Sequence, residues 1–377
     1  MTSAQYQNYL LQPLGYGSLR NFFRVIIANR GVDTQYFIKF LYAFFLCLSG
    51  IPVRIFERVI FDHKIASTTI DYPPVFILGH WRSGTTYLHN LMIQDSNFAF
   101  VPSIYSYSPE MFLSLNSKKF MAPLLEALLP NQRPMDNVAY SIHVPEEEEY
   151  AIGNMMPLSF YNGWMFPKYL RQNFERSVLF QGLSRSLKAE WEKVYIKILK
   201  KTTFFSQGKR LLIKNPANTA RIDTLLKLFP QSKFIYIYRN PYDVYSSTKL
   251  FYEKLMPTYA LQQISEEYIE DCIFDFYEQL INQYLESKQN IPLGNIIEIK
   301  YEDFLGNEMM YLNKIYTQFN LPDFEEKSQV FLQYVHSKSK YIKNQHSLDR
   351  DLVKKIDQRW GFFIEQWGYD IALLNQL

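Results

Sequence analysis

Apolar positions recur at helical spacing over residues 19–27, 34–48 and 53–65, interrupted at Gly31 and at Gly50-Ile51-Pro52, so the chain is expected to open with three helices. The pattern then changes. Residues 75–78 are a short apolar run of strand type, 79–84 are rich in polar and flexible side chains, and helical spacing resumes over 85–92. The same succession returns twice. Residues 210–214 read as a buried strand with a polar tip at Lys214-Asn215-Pro216 and a helix over 218–229. Residues 233–238 read as another strand, with Arg239-Asn240-Pro241 at its carboxyl end and a helix from Tyr242 onward. A further strand over 295–300 ends in Tyr301-Glu302-Asp303. Strand, polar tip and helix in repetition predict an α/β fold: a central parallel sheet flanked by helices, with ligands outside the carboxyl ends of the strands.

The remaining segments fit around that sheet. Residues 95–108 read as a loop, 109–129 as a helix and 131–137 as a loop, and Pro145 suits the first position of a helix that carries four carboxylates, Glu146 to Glu149. The aromatic stretch 160–182, with Trp164 and Pro167, reads as irregular; 183–202, 258–287 and 312–319 read as helices, and 354–369 as helical in part. No internal repeat, low-complexity tract or Gly/Ser linker divides the chain. The expected organisation is a helical N-terminal extension over 1–70 and one α/β domain over 71–377.

Bulk properties narrow the functional classes. With 20% charged and 17% aromatic residues the chain is globular in composition, and 377 residues suffice for a large core. A net charge of +3 is too slight to make nucleic acid the expected partner, although a local basic pocket for an anion is compatible with it. Two cysteines, Cys47 and Cys272, with no metal-type Cys/His spacing, indicate a reducing compartment and no metal centre. The N-terminus lacks the form of a secretory signal, so the expected location is cytoplasmic. Residues 36–56 qualify that expectation. The apolar run 40–53, broken by Ser49, Gly50 and Pro52, is shorter than a span; it suits either a buried helix or an interfacial helix on a membrane, flanked by Arg20, Arg24, Arg30, Arg54 and Arg58.

Chemistry concentrates at the strand tips. A turn between strand and helix aims backbone N–H groups and the positive end of the helix dipole at one point, which suits a phosphate or sulfate. Gly79 and Gly84 have the spacing of a Walker A loop, but Thr85 stands where that loop needs Lys, and the positive charge lies at Arg82. The tips bring together Arg82, Ser83, Gly84, Thr85 and Thr86 with Lys214, Arg239 and Ser247, a set whose charged members are all cationic. A guanidinium at 239 can fork onto a phosphate while the hydroxyl at 247 completes the grip. Among the four acids, the apolar residues that follow require at least one to face inward, the usual setting of a general base.

The segments Phe76-Ile-Leu-Gly-His-Trp-Arg-Ser-Gly-Thr-Thr86, Leu212-Ile-Lys-Asn-Pro216 and Phe234-Ile-Tyr-Ile-Tyr-Arg-Asn-Pro-Tyr-Asp-Val-Tyr-Ser-Ser247 resemble, in order, the motifs of sulfotransferases that use 3′-phosphoadenosine 5′-phosphosulfate (PAPS), and more closely those of the bacterial branch. The resemblance implies a P-loop-like architecture without a metal requirement. It assigns Arg82 to Thr86 to the 5′-phosphosulfate and Arg239 with Ser247 to the 3′-phosphate. The implied reaction is in-line sulfuryl transfer to a hydroxyl, or else an amine, leaving adenosine 3′,5′-bisphosphate. Arg82 and Lys214 then oppose the charge that builds on the departing side. The His that the cytosolic branch carries two positions after the strand-end Lys is replaced by Pro216, so the base falls to Glu147 or Glu149, in a stretch that resembles the Pro-x-Glu-x-Glu of the bacterial branch. His80 and His143 are rivals. By the same likeness, Lys340, Lys343 and His346 are candidates to supplement the 3′-phosphate site, and Tyr87 to touch adenine; a solvated basic face and helix packing are the plain alternatives.

Two other classes compete: a nucleotide-dependent kinase or NTPase, opposed by Thr85 and by the lack of a strand-end Asp for magnesium, and a membrane-associated scaffold that retains an anion-binding fold. The acceptor is a small molecule, lipid or glycan. Aromatics between Tyr105 and Trp164 and from Phe251 to Tyr259 suit an apolar one, such as a lipid, sterol or phenol.

Overall fold

Four consecutive apolar residues with no polar alternation demand cover on both faces, and Val75–Leu78 (β1) receive it, being wholly buried. In the computed structural model, which describes residues 12–117, 141, 143–338 and 349–371, β1 lies at the centre of a five-stranded sheet. The other strands are Phe98–Ala99 (β2), Arg210–Lys214 (β3), Lys233–Tyr238 (β4) and Ile296–Lys300 (β5), in the spatial order β2-β3-β1-β4-β5. Strands β1 and β4 run parallel with Val75 opposite Lys233 and Leu78 opposite Tyr236; β4 and β5 run parallel with Phe234 opposite Ile296 and Tyr238 opposite Lys300. The carboxyl ends of β1, β4 and β5 therefore share one edge of the sheet. This is the α/β fold that the strand pattern predicts.

The chain divides into two compact units, each described by itself. The first comprises Met1–Tyr72, Ala99–Ile213 and Phe251–Tyr268. It holds helices α1 (Leu19–Ala28), α2 (Phe37–Ser49) and α3 (Ile51–Ser67); α1 and α3 lie within two residues of the expected helices, and α2 starts three residues late, behind a 3-10 turn, Thr34–Tyr36. Ser18 caps α1 by accepting the Asn21 N–H. The second comprises Pro73–Phe98, Lys214–Leu250 and Ile269–Leu377. There, α4 (Thr85–Met92) leaves the turn after β1.

Several boundaries move, each for a local reason. The expected loop 95–108 contains β2 and a short helix, Ser103–Tyr107, both too brief to generate a readable period. The helix expected from Pro145 begins at Glu149 instead (α5, Glu149–Met155), because residues 144–146 are laced onto 101–103: Ser103 N–H donates to Val144 O and Glu146 N–H to Val101 O. Residues 160–182 are not irregular; they contain helices Asn162–Met165 and Leu170–Ser177, with Pro167 opening a 3-10 turn between them. Residues 218–229 split into a 3-10 turn, Pro216–Ala220, and a helix, Ile222–Leu228. The long helix expected from Thr258 starts at Glu266, where Ser265 Oγ accepts the Tyr268 N–H, while the preceding helix, Pro241–Tyr259, runs through Pro257. Of the helix expected over 109–129, Phe112–Ser117 is helical; residues 118–129 and 131–137 lie outside the described residues, as do Lys340, Lys343 and His346.

Candidate active site

The turn after β1 is held by hydrogen bonds from side chains in and around it. Thr219 Oγ1 accepts the Gly79 N–H at 2.8 Å and donates to the Gly79 carbonyl at 3.1 Å, so one hydroxyl fixes both backbone groups of the first turn residue. Gly79 has φ 144°, and a Cβ there would lie 2.3 Å from the Ile237 carbonyl. Ser83 Oγ donates to the His80 carbonyl at 2.7 Å, closing the middle of the turn. Arg82 takes a left-handed φ of 71°, which a side chain adopts only when its surroundings over-determine it. Gly84, at φ 96°, starts α4, and a Cβ there would come within 2.3 Å of the Tyr301 ring. The first N–H groups of α4, from Thr85 and Thr86, have no partner within their own helix and form the positive end of its dipole.

Onto this turn come two strand-end groups from β4 and its helix. Arg82 Nε donates to Ser247 Oγ at 2.9 Å. Arg239 Nη1 donates to the Arg82 carbonyl at 3.3 Å, and its guanidinium lies 5.2 Å from the centroid of Tyr301. The structure thus brings Arg82, Arg239 and Ser247 into one cluster, beside Ser83, Gly84, Thr85 and Thr86. The tip itself is braced: Asn240 Oδ1 accepts the Tyr242 N–H, capping the helix, and Glu302 accepts the Asn240 N–H at 3.0 Å. One expectation needs correcting. The charged groups are not all cationic, because Asp243 accepts from Arg239 Nε at 3.2 Å and Nη2 at 2.7 Å. Asp243 sits in the first turn of its helix, where the dipole favours a carboxylate, and a reading confined to strand tips passes over it.

Other candidates in this unit are placed as follows. Lys214 ends β3 and is buried. Tyr87 donates to Glu308 Oε1 at 3.1 Å and packs against Phe304, and burial with that carboxylate holds its phenol well above the ordinary range. His80 is buried, with Nδ1 at 2.7 Å from the Trp81 carbonyl, so Nδ1 carries the proton and Nε2 is bare. Burial depresses its pKa to about 4, against a smaller opposing effect of that hydrogen bond. A ring this reluctant to hold a proton is a weak base near neutrality.

The acids belong to the other unit. All four, Glu146 to Glu149, are buried, contrary to what a solvated helix start would show. Glu149 has no exposure, and its Oε1 accepts the Phe160 N–H at 2.9 Å. Glu148 Oε1 accepts the Tyr195 hydroxyl at 3.2 Å, and Glu146 Oε1 accepts the Glu147 N–H at 3.1 Å. Glu147 retains 8% exposure, and its carbonyl accepts the Ser106 hydroxyl. Next to them in sequence and in the same unit, Tyr150 lies 4.6 Å from Tyr107 and 4.5 Å from Tyr161 between ring centroids, and Tyr161 stacks on Trp164 at 3.7 Å. His143, the other rival, is exposed at the start of this stretch.

Sequence reasoning missed three residues that shape the cluster: Thr219, Asp243 and Tyr301. Asp243 was open to detection, since it stands four positions after Arg239 at a helix start. Thr219 and Tyr301 act across the fold and leave no local signal.

The geometry is that of a strand-to-helix turn held by a second arginine and a serine. Residues 73–326 match the Sulfotransferase family. The chain is 31% identical over 349 residues to the omega-hydroxy-beta-dihydromenaquinone-9 sulfotransferase Stf3 of Mycobacterium bovis, covering 92% of this chain and 88% of that protein; the Mycobacterium tuberculosis counterpart matches equally. The fold is similar to crystal structures of two sulfotransferases. STF1 of Mycobacterium tuberculosis superposes with TM-score 0.66 at 14% identity, covering 96% of this chain and 99% of that one. STF9 of Mycobacterium avium superposes with TM-score 0.62 at 15% identity, covering 84% and 82%. The match over 73–326 contains every motif of the anion turn and its clamp, and the chain belongs to the sulfotransferase family.

Proposed function

We propose that this enzyme takes its sulfuryl group from PAPS and moves it to the hydroxyl of an apolar, lipid-like alcohol. The observation that carries the donor reading is the cluster of Arg82, Ser247 and Arg239 around one preformed turn. Its chemistry suits a ligand with two separate anionic groups: backbone N–H groups at the start of a helix for one, a guanidinium and a hydroxyl for the other. Arg82 to Thr86 hold the 5′-phosphosulfate end, and Arg239 with Ser247 the 3′-phosphate. PAPS supplies an activated sulfuryl group. The chain supplies fixed positive charge from Arg82 and Lys214 where negative charge grows, and it needs no metal for that.

Glu147 is the proposed base, taking the acceptor hydroxyl proton as the new oxygen–sulfur bond forms and adenosine 3′,5′-bisphosphate leaves. Glu147 is favoured over Glu149 because it keeps some exposure, whereas Glu149 is enclosed and committed to the Phe160 backbone. Two observations support an apolar acceptor. The mycobacterial relatives act on a hydroxylated menaquinone derivative, and the acids here adjoin a cluster of aromatic rings in their own unit.

The test is release of adenosine 3′,5′-bisphosphate from PAPS in the presence of EDTA, with long-chain isoprenoid alcohols, sterols, phenols and sugars offered in parallel. Turnover with the isoprenoid alcohols and none with sugars is expected. Turnover with sugars alone would overturn the acceptor reading, and binding of ATP in preference to the bisphosphate would overturn the donor reading.

A further inference from the structure

The second and third helices bury charged side chains and expose large apolar ones. In α2 the buried positions are Lys39, Ala43 and Cys47, at four-residue spacing; in α3 they include Arg54 and Glu57. Large apolar side chains face solvent among the charged ones: Phe37, Ile38 and Phe45 on α2, Ile55 and Val59 on α3, with Ile27 on α1. Ile27, Ile38 and Val59 are 75%, 67% and 76% exposed, which places large aliphatic groups fully outside and not at a seam.

The inner charges are satisfied where they lie. Lys39 Nζ donates to the carbonyls of Thr258 and Ala260, and Arg54 donates to the Cys47 carbonyl. Glu57 accepts from Lys201 and from the Ser114 N–H. A helix with paired charges within and unpaired hydrocarbon outside is turned for an apolar medium, because in water the opposite arrangement has the lower free energy.

Three observations decide what covers this face. First, the face runs from helix to helix: the exposed Phe23 of α1 lies 6.1 Å from Phe44 of α2, and α2 meets α3 at Gly50. Second, among the described residues no single helix is long and apolar enough to cross a membrane, but the pair 34–49 and 51–67, bent by 41°, reaches that length and hydropathy together. A bent pair suits lying in an interface with one face immersed. Third, residues 19–67 carry seven Lys and Arg against three Asp and Glu, and Arg20, Arg30, Arg58 and Lys64 are exposed. That excess favours anionic headgroups. It opposes pairing with a second copy, because a two-fold interface would set like charges against each other.

We propose that α1, α2 and α3 form a docking surface that seats this chain on an anionic lipid bilayer, with the apolar face in the acyl boundary and the basic side chains at the headgroup phosphates. This widens the expected contact at 36–56 to three helices and does not depend on the identity of donor or acceptor.

Flotation of the full chain with vesicles tests it, comparing phosphatidylcholine alone with phosphatidylcholine and phosphatidylglycerol mixed. The chain is expected to float with the mixed vesicles and less with the neutral ones. Ile38→Glu with Val59→Glu should lower the floated fraction at least about tenfold without lowering the melting temperature. Arg30→Glu with Arg58→Glu, which leaves the apolar face intact, should remove the preference for anionic vesicles and also serves if the first pair fails to fold. Failure of the unaltered chain to float with either vesicle overturns the proposal, as does undiminished flotation of both pairs. A dimer in sedimentation velocity that Ile38→Glu with Val59→Glu dissociates, without flotation, would assign the face to a second copy and overturn it equally.

Discussion

Arg82 and Ser247 stand 165 positions apart in sequence and 2.9 Å apart in space, guanidinium Nε to hydroxyl oxygen. Through that bond the turn after β1 and the helix after β4 become one site. Ser247→Ala removes the hydroxyl proposed to donate to the 3′-phosphate and should weaken adenosine 3′,5′-bisphosphate about tenfold, the low end for a hydrogen bond to a charged group. Arg239→Gln removes a charge and should cost about tenfold to a hundredfold. Titration calorimetry with the bisphosphate measures both; equal affinity in Arg239→Gln would remove Arg239 from the 3′-phosphate site.

Thr219 holds Gly79 from both sides, and it carries no charge. Thr219→Val keeps the shape and strands a buried N–H and a buried carbonyl. A loss of about 2–4 kcal/mol in urea unfolding is expected, one to two for each group. Thr219→Ser should recover most of it. If Val and Ser variants unfold alike, the two hydrogen bonds are not what fixes the turn.

Glu147 and Glu149 separate by different readouts. Glu147→Gln should lower kcat by about a hundredfold or more while leaving bisphosphate affinity unchanged, as expected for loss of a general base. Glu149→Gln keeps an oxygen for the Phe160 N–H, so its kcat should stay within a few-fold of the parent. The reverse ranking would move the base to position 149.

His80 makes stability depend on pH. Its folded pKa, about 4, lies below the ordinary value of 6.5, so between these the unfolded chain binds the extra proton. The contribution is complete above about pH 6.5 and is lost as pH falls through 4, up to about 3 kcal/mol in all. His80→Asn, whose side-chain N–H can still reach the Trp81 carbonyl, should unfold less steeply over that window. Thermal melts at stepped pH show it, and an unchanged slope would mean that His80 is protonated in the folded chain.

The sheet was legible because three of its strands have continuous apolar interiors: Val75–Leu78, Arg210–Lys214 and Lys233–Tyr238 have the same limits in sequence and structure. So was the strand-to-helix turn over Gly79 to Gly84, since a short apolar run, a glycine-bounded polar segment and renewed helical spacing follow one another in sequence. What pattern could not reveal is long-range. Tyr301 fills the space that Gly84 leaves, and no window of sequence contains both. The four acids misled for a related reason. A run of carboxylates reads as solvated, but the ladder to residues 101–103 draws it into the interior and delays the helix to Glu149. Pro167 and Pro257 show that proline can open a turn or ride within a helix when its surroundings supply the geometry.

The left-handed backbone at Arg82 has a thermodynamic corollary. A loop already tied at Thr219, Ser83 and Arg239 has little conformational freedom left to surrender when an anion arrives. Occupation should therefore produce a heat-capacity change no larger than the ligand's own desolvation requires, and protease digestion of the turn should proceed alike with and without nucleotide.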